Sequence, residues 1–160
     1  MITATHLHAM LIHFPIALLV IGFLSELTAL MTKKKEFYKR AAFYLLLLGA
    51  LGTIASYFTG NSAGEGIEAG SLKTAIELHE QAATISLWLT IITAITYLTI
   101  VIVKYNKRWA RIVAVILFAA VISFIARTGY LGGQLVYKHG AGVELALPDF
   151  SNTSPDAEEK

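Results

Sequence analysis

Four long apolar segments, separated by short polar stretches, dominate the pattern of this 160-residue chain. They run from about Leu7 to Met31, from Ala41 to Phe58, from Ala82 to Val103 and from Trp109 to Leu131. A helix needs about 20 apolar residues to cross the hydrocarbon core of a bilayer, and each segment is close to that length. The pattern therefore predicts an all-α, integral-membrane four-helix bundle formed by residues 1–147.

The connections between the segments differ in charge, and this difference predicts an orientation. Basic side chains crowd the first and third connections, residues 33–40 and 104–108, whereas the second holds Glu65, Glu68 and Glu77 against Lys73 alone. Basic connections stay on the cytoplasmic side of a membrane. We therefore expect both termini and the middle connection to lie on the outer side, so that the chain is N-out and C-out.

The two ends of the chain carry features of their own beside the four apolar segments. The first apolar segment lacks a positively charged start and exceeds the apolar core of about 7–15 residues found in signal peptides, so we interpret it as a retained helix. Residues 132–140 predict a short interfacial turn or helix after the fourth segment. Residues 148–160 form a polar tail that we expect to be disordered.

Composition narrows the chemistry that the chain can perform. Hydrophobic residues make up 56% of it and charged residues 15%, against about 45–50% and about 25% in soluble domains, which again favours a membrane protein. The chain has no cysteine, which excludes disulfides, thiolate metal sites, iron–sulfur clusters and covalently attached c-type haem. No dinucleotide, phosphate-loop or zinc-protease motif is present, and no nucleic-acid partner is predicted.

The five histidines all fall toward the outer end of the predicted bundle. They are His6, His8 and His13 at the start of the first segment, His79 before the third and His139 after the fourth. Histidine often lies at a membrane interface without a function. For His6, this interpretation is as good as a functional one. His13 lies deeper in the apolar segment, where a polar side chain needs a partner inside the bundle. The pattern therefore predicts a histidine cluster at one membrane face.

Three charged residues in or beside the apolar segments have two interpretations each. Arg127 either clamps a carboxylate, such as a haem propionate, or extends its side chain to the interface. Glu80 either orients a neighbouring imidazole or favours the start of a helix. Glu26 either reaches the basic connection or handles protons. Stripes of small residues, Gly49–Gly52–Ser56–Gly60 and Gly129–Gly133, predict close helix approach.

Helix geometry favours a large cofactor over a single metal ion at this cluster. His6 and His13 share a helix face but are about 10 Å apart along the axis, and His8 and His13 point about 140° apart on a regular helix. Copper or zinc would need three or four converging ligands. Haem b needs one or two axial imidazoles from facing helices and a slot between them, so we expect one or two haem b groups, with copper or zinc as the alternative.

The chain resembles the bacterial membrane-protein family catalogued as domain of unknown function 2231. The resemblance covers residues 6–143 and rests on HxxxxHFPIAL at residues 8–18, TG at 59–60 with AGE at 63–65, the helix start at His79, and GGxLVYxHG at 132–140. It implies a four-helix protein of the bacterial inner membrane, and relatives joined to cytochrome-c-like domains imply redox work on the outer side. By the match, the positions to consider are His8, His13, His79 and His139. Ala9 departs from the family, which commonly has His-Pro here.

Three hypotheses follow for the function. The first is a b-type cytochrome that carries electrons rather than acting as a stand-alone enzyme, with His13–His79 and His8–His139 as ligand pairs and Arg127 on a propionate. Its partners would be lipid, a quinol or a periplasmic c-type cytochrome. The second is a zinc- or copper-binding membrane protein that uses the same imidazoles with Glu65 or Glu80. The third is a structural subunit, or an oligomer, within a larger membrane complex.

Overall fold

The computed structural model describes residues 3–64, 71–105 and 107–142, and these residues form helices and short connections without any strand. The helices are α1 (Ala4–Leu11), α2 (His13–Met31), α3 (Lys35–Gly64), α4 (Ser71–Ile102) and α5 (Arg108–His139). Together α1 and α2 make one span, so four helices are long and apolar enough to cross a membrane. The prediction of an all-α four-helix membrane bundle is confirmed. Glu65, Glu68 and the predicted tail, residues 148–160, lie outside the described residues.

The helices extend further than the apolar segments that predicted them. The residues expected to form a separate interfacial segment are the last turns of α5, which continues to His139. The helix ends there because Gly140 adopts a left-handed conformation, with φ at 64°, and its N–H donates to the carbonyl of Val136. Glycine takes this conformation without a steric penalty. The apolar pattern marks only the lipid-embedded part of each helix, whereas the helix itself ends at its cap.

A single residue, Ile12, separates α1 from α2, and Pro15 accounts for the interruption. Proline has no N–H, so the carbonyl of Leu11 loses its usual helical donor at this point. The ring of Pro15 is buried against α3 at Gly52, where an added Cβ would lie 3.1 Å from the Cβ of Pro15. The first span therefore carries its histidines on either side of a local irregularity that is held against the neighbouring helix.

The core lies near the middle of the bundle, where all four spans meet. Phe118 of α5 is fully buried, and its ring contacts Phe23 and Tyr97 edge-on, with centroids 5.5 and 5.9 Å apart. Leu19 packs on Gly49, where an added Cβ would lie 2.6 Å from the Cγ of Leu19. Gly49 therefore confirms the close helix approach predicted for its stripe, because the missing side chain lets α2 and α3 come together.

A buried ion pair joins α2 to α5 at the end of the bundle that carries the basic connections. A guanidinium nitrogen of Arg111 lies 2.9 Å from a carboxylate oxygen of Glu26, whose side chain is 2% exposed. Glu26 therefore reaches α5 rather than the first basic connection. Because an isolated charge is costly inside a membrane, the pair stabilises α2 and α5 side by side.

Removing one partner of this pair should destabilise the protein measurably. The variant Arg111→Met leaves the carboxylate of Glu26 buried without its cation, and we expect the free energy of unfolding to fall by about 3 kcal/mol. Thermal unfolding of the detergent-purified protein measures the change. Glu36→Gln, which breaks the exposed pair between Glu36 and Lys39, serves as the control and should leave the midpoint unchanged. An unchanged midpoint in Arg111→Met would show that the pair contributes nothing.

Candidate functional site

A cavity of about 690 Å³ lies at the opposite end of the bundle from the ion pair. This end, which we call the histidine end, is where α1 begins, α3 ends, α4 begins and α5 ends. All five helices contribute to the cavity wall, and most of that wall is apolar. Its size falls within the range of about 300–1,000 Å³ that is usual for small-molecule and cofactor sites.

The histidine cluster predicted from the sequence lies in the wall of this cavity. His8, His13, His79 and His139 all line it, so the structure brings four of the five histidines to one site. His6 does not line the cavity; its backbone N–H is capped by the hydroxyl of Thr3 at the start of α1. The cavity thus collects imidazoles from the first span, from α4 and from α5.

Arg127 lies elsewhere. Its side chain is exposed on α5, and it is not part of the cavity wall. Among the described residues, no lysine or arginine lines the cavity. The structure therefore does not place the predicted propionate clamp in the site, because α5 turns Arg127 away while its neighbour Thr128 faces α4.

The orientation of His79 is set by the backbone of α5. Its Nδ1 lies 3.1 Å from the carbonyl oxygen of Thr128. A carbonyl oxygen only accepts hydrogen bonds, so Nδ1 carries the proton and Nε2 retains its lone pair. A histidine whose Nδ1–H is anchored on a backbone carbonyl is a common arrangement in metal sites. Glu80, for which one of the two interpretations was to orient this imidazole, does not make the bond; the carbonyl of Thr128 does.

His8 is held in the same way by α3. Its Nδ1 lies 3.2 Å from the hydroxyl of Thr59, and that hydroxyl donates its own hydrogen to the carbonyl of Ser56 at 3.0 Å. The hydroxyl also lies 3.2 Å from the carbonyl of Ala55, and because it has only one hydrogen, it accepts from Nδ1–H of His8 whenever it donates to either carbonyl. The Nε2 atom of His8 is thereby also left with its lone pair.

Two glycines make room for these rings. A Cβ added to Gly60 would lie 2.8 Å from Cε1 of His8, and one added to Gly132 would lie 3.1 Å from Cε1 of His79. Sequence reasoning assigned Gly60 to helix packing and gave Gly132 no separate role, and both assignments missed the imidazoles. The sequence held a sign of these roles, since Gly60 lies in the TG motif and Gly132 in the GGxLVYxHG motif of the family resemblance.

The other two histidines lie at the edge of the site. His13 and His139 are exposed, and neither ring forms a hydrogen bond with another of the described residues. In the part of the chain that the structure describes, no three histidine, aspartate or glutamate side chains come close enough to hold a metal ion. The site therefore consists of two anchored imidazoles, two exposed ones and a largely apolar wall.

Comparison with known proteins places the whole bundle in one family. A family model described as "Predicted membrane protein (DUF2231)" matches residues 4–145, which includes every helix and all four cavity histidines. No curated protein and no solved structure matches the chain significantly.

The glycines beside the imidazoles provide a test of this geometry. Gly60→Ala forces the ring of His8 to move, and we expect a loss of about 1–3 kcal/mol in the free energy of unfolding and a shifted ¹⁵N resonance of that ring. Gly133→Ala is the matched control, because its added Cβ has no neighbour within 4 Å in the part of the chain that the structure describes. It should instead stabilise α5 by about 0.5–1 kcal/mol. Equal effects of the two substitutions would contradict the assigned position of His8.

Proposed function

The chain belongs to the DUF2231 family of predicted membrane proteins, and we propose that it is a b-type cytochrome-like protein that binds haem in its histidine-end cavity and takes part in electron transfer. One observation carries the proposal. His8 of the first span and His79 of α4 both line the cavity, and each has its Nδ1–H engaged and its Nε2 lone pair unused. Two imidazoles with one nitrogen held and the other available would be able to hold the iron of haem.

The residues around the two imidazoles fit a cofactor of this kind. Gly60 and Gly132 leave space in which the rings keep their orientation. The hydroxyl of Ser56, another residue of the cavity wall, is buried and has no hydrogen-bond partner among the described residues. The wall itself is mostly apolar, which suits a porphyrin. Since no lysine or arginine of the described residues lines the cavity, the carboxylates of haem would have no cationic side chain from this part of the chain.

This proposal changes the ligand pairs expected from the sequence. It pairs His8 with His79 and assigns His13, His139 and Arg127 no ligand role. When bound, haem supplies one-electron redox chemistry. The chain itself holds the two Nε2 atoms in place through Thr59 and the carbonyl of Thr128, and its apolar wall limits water around them. The partners that we propose are a quinol from the bilayer or a periplasmic c-type cytochrome.

A zinc or copper site is the less favoured alternative. It would use the same imidazoles, but such a metal ion needs three or four ligands at bonding distance. No such group of three exists among the described residues. An iron porphyrin takes only one or two ligands from the protein, and His8 and His79 would supply that number.

An optical spectrum of the detergent-purified protein, oxidised and then reduced with dithionite, tests the proposal directly. We expect a Soret band and a sharp reduced α-band of b type, with haem counted by the pyridine haemochrome method. A flat visible spectrum from haem-replete cells would overturn the proposal. Stoichiometric zinc or copper in the same colourless preparation would support the alternative.

Substitution of the anchored imidazoles should abolish haem retention. His8→Ala and His79→Ala each remove one proposed ligand, and we expect the haem-to-protein ratio to fall to less than about a tenth. His6→Ala is the control, since His6 is exposed and does not line the cavity. Full haem content in both His8→Ala and His79→Ala would show that the proposed ligand pair is wrong. Gel filtration shows whether each variant is folded.

The proposed location is the bacterial inner membrane, with both termini and the histidine end in the periplasm. The absence of cysteine allows single cysteines to report on each side. In intact cells we expect an impermeant maleimide to label Tyr137→Cys, whose parent residue is 91% exposed at the histidine end. Lys104→Cys, at the basic end, should be labelled only after the cells are broken. The reverse labelling pattern would show that the protein has the opposite orientation in the membrane.

A further inference from the structure

Both α1 and α5 line the histidine-end cavity, but a gap separates their backbones. The backbone of α1 approaches those of α2 and α3 but neither of the other described helices. Near the core α5 meets α2, where Phe118 packs against Phe23. Beyond the other end of the gap, the turn after α5 reaches α1, since a Cβ added to Gly142 would lie 2.8 Å from Cγ2 of Thr5. The gap is thus closed above and below, and we call it the α1–α5 window.

Several residues that line the cavity and are exposed lie on the two spans that border the window. On the edge formed by the first span they are Thr5, Ala9 and His13, which follow one another at intervals of four residues. On the α5 edge they include Gly129 and Val136. At 1.5 Å per residue, His13 lies about 14 Å from the start of α1 and Gly129 about 15 Å from the end of α5. The two residues are therefore at similar depth, within the apolar part of their spans.

The α5 edge presents bare backbone to this opening. Gly129 and Gly133 are one helical turn apart, both line the cavity, and no described residue lies within 4 Å of an added Cβ at either position. Their GxxxG spacing predicted close helix approach, but no described helix packs on them. The two glycines leave a slot in the cavity wall that holds no side chain of α5, and such a slot suits a flat group.

The other edge supplies a polar group at the same depth. The imidazole of His13 forms no hydrogen bond with any other described residue. A polar ring at this depth in a membrane calls for a partner, and the slot is where a partner could come from. No lysine or arginine lines the cavity in the described part of the chain, so nothing there favours the phosphate of a lipid headgroup. The chemistry suits a neutral ring that carries oxygen atoms and dissolves in the bilayer.

We propose that the α1–α5 window admits the head group of a membrane-dissolved quinol or quinone, which lies over Gly129 and Gly133 and forms a hydrogen bond with His13. This inference rests on the proposed function, because it selects the membrane partner of the same cavity, and it concerns binding alone. It also gives the exposed imidazole of His13 a role different from that of the anchored imidazoles of His8 and His79.

Native mass spectrometry of the detergent-released protein tests this, because one spectrum counts bound haem, quinone and phospholipid separately. The haem-loaded wild-type protein is titrated with a decyl-tailed benzoquinone, alongside Gly129→Leu, His13→Phe and Ala126→Leu. A Cβ at position 129 meets no described residue within 4 Å, so the leucine side chain extends from there into the slot. Ala126 is exposed on the same helix and does not line the cavity, so its leucine variant is the matched control.

We expect one quinone to bind saturably to the wild-type protein and to Ala126→Leu. The affinity should fall at least about tenfold in Gly129→Leu and about threefold to tenfold in His13→Phe, with haem content unchanged in all four proteins. Equal quinone binding in Gly129→Leu and wild type would overturn the inference. The inference would also be overturned if phospholipid stays bound when quinone is added and is lost in Gly129→Leu, because lipid would then occupy the slot. Absence of haem with this quinone pattern intact would overturn the proposed function alone and support the quinone site.

Discussion

A polar side chain inside a membrane must find its partner within the protein, and this requirement organises both ends of the bundle. At the basic end it joins Glu26 of α2 to Arg111 of α5. At the histidine end it fixes His8 on Thr59 of α3 and His79 on the carbonyl of Thr128 in α5. Each of these bonds crosses from one helix to another. The same chemistry that satisfies the polar groups therefore also determines which helices lie side by side.

Large side chains fill the middle of the bundle, whereas the cavity at the histidine end is lined by many small ones. Phe118 and Leu19 fill the core, and Gly49 brings α2 and α3 together there. Toward the histidine end, the wall changes to glycine, alanine and threonine, which leave space rather than fill it. The glycines of this region have different tasks. Gly60 and Gly132 make room for rings, whereas none of the residues that the structure describes packs on the Cβ positions of Gly129 and Gly133.

The two kinds of imidazole give the proposed functions separate places in one site. His8 and His79 are half-buried and have one ring nitrogen held, which suits ligation of a resident cofactor. His13 is exposed at the edge of the α1–α5 window, which suits a ligand that comes and goes from the bilayer. A cofactor site that opens sideways into lipid would let a membrane-dissolved partner approach without passing through water.

The sequence by itself determined the architecture and the location of the site. Apolar runs of span length have few structural alternatives in a membrane, and the connections between four such runs place the start of α1, the start of α4 and the end of α5 at one end. Hence the gathering of His8, His13, His79 and His139 could be predicted. Only the tertiary structure decided what each residue does there. Whether Arg127 faces the cavity, whether Thr128 or Glu80 orients His79, and whether a glycine contacts a helix or an imidazole all depend on helix rotation and on where a helix ends. Those quantities are set by packing between segments far apart in the chain, and the hydrophobic pattern of one segment does not contain them.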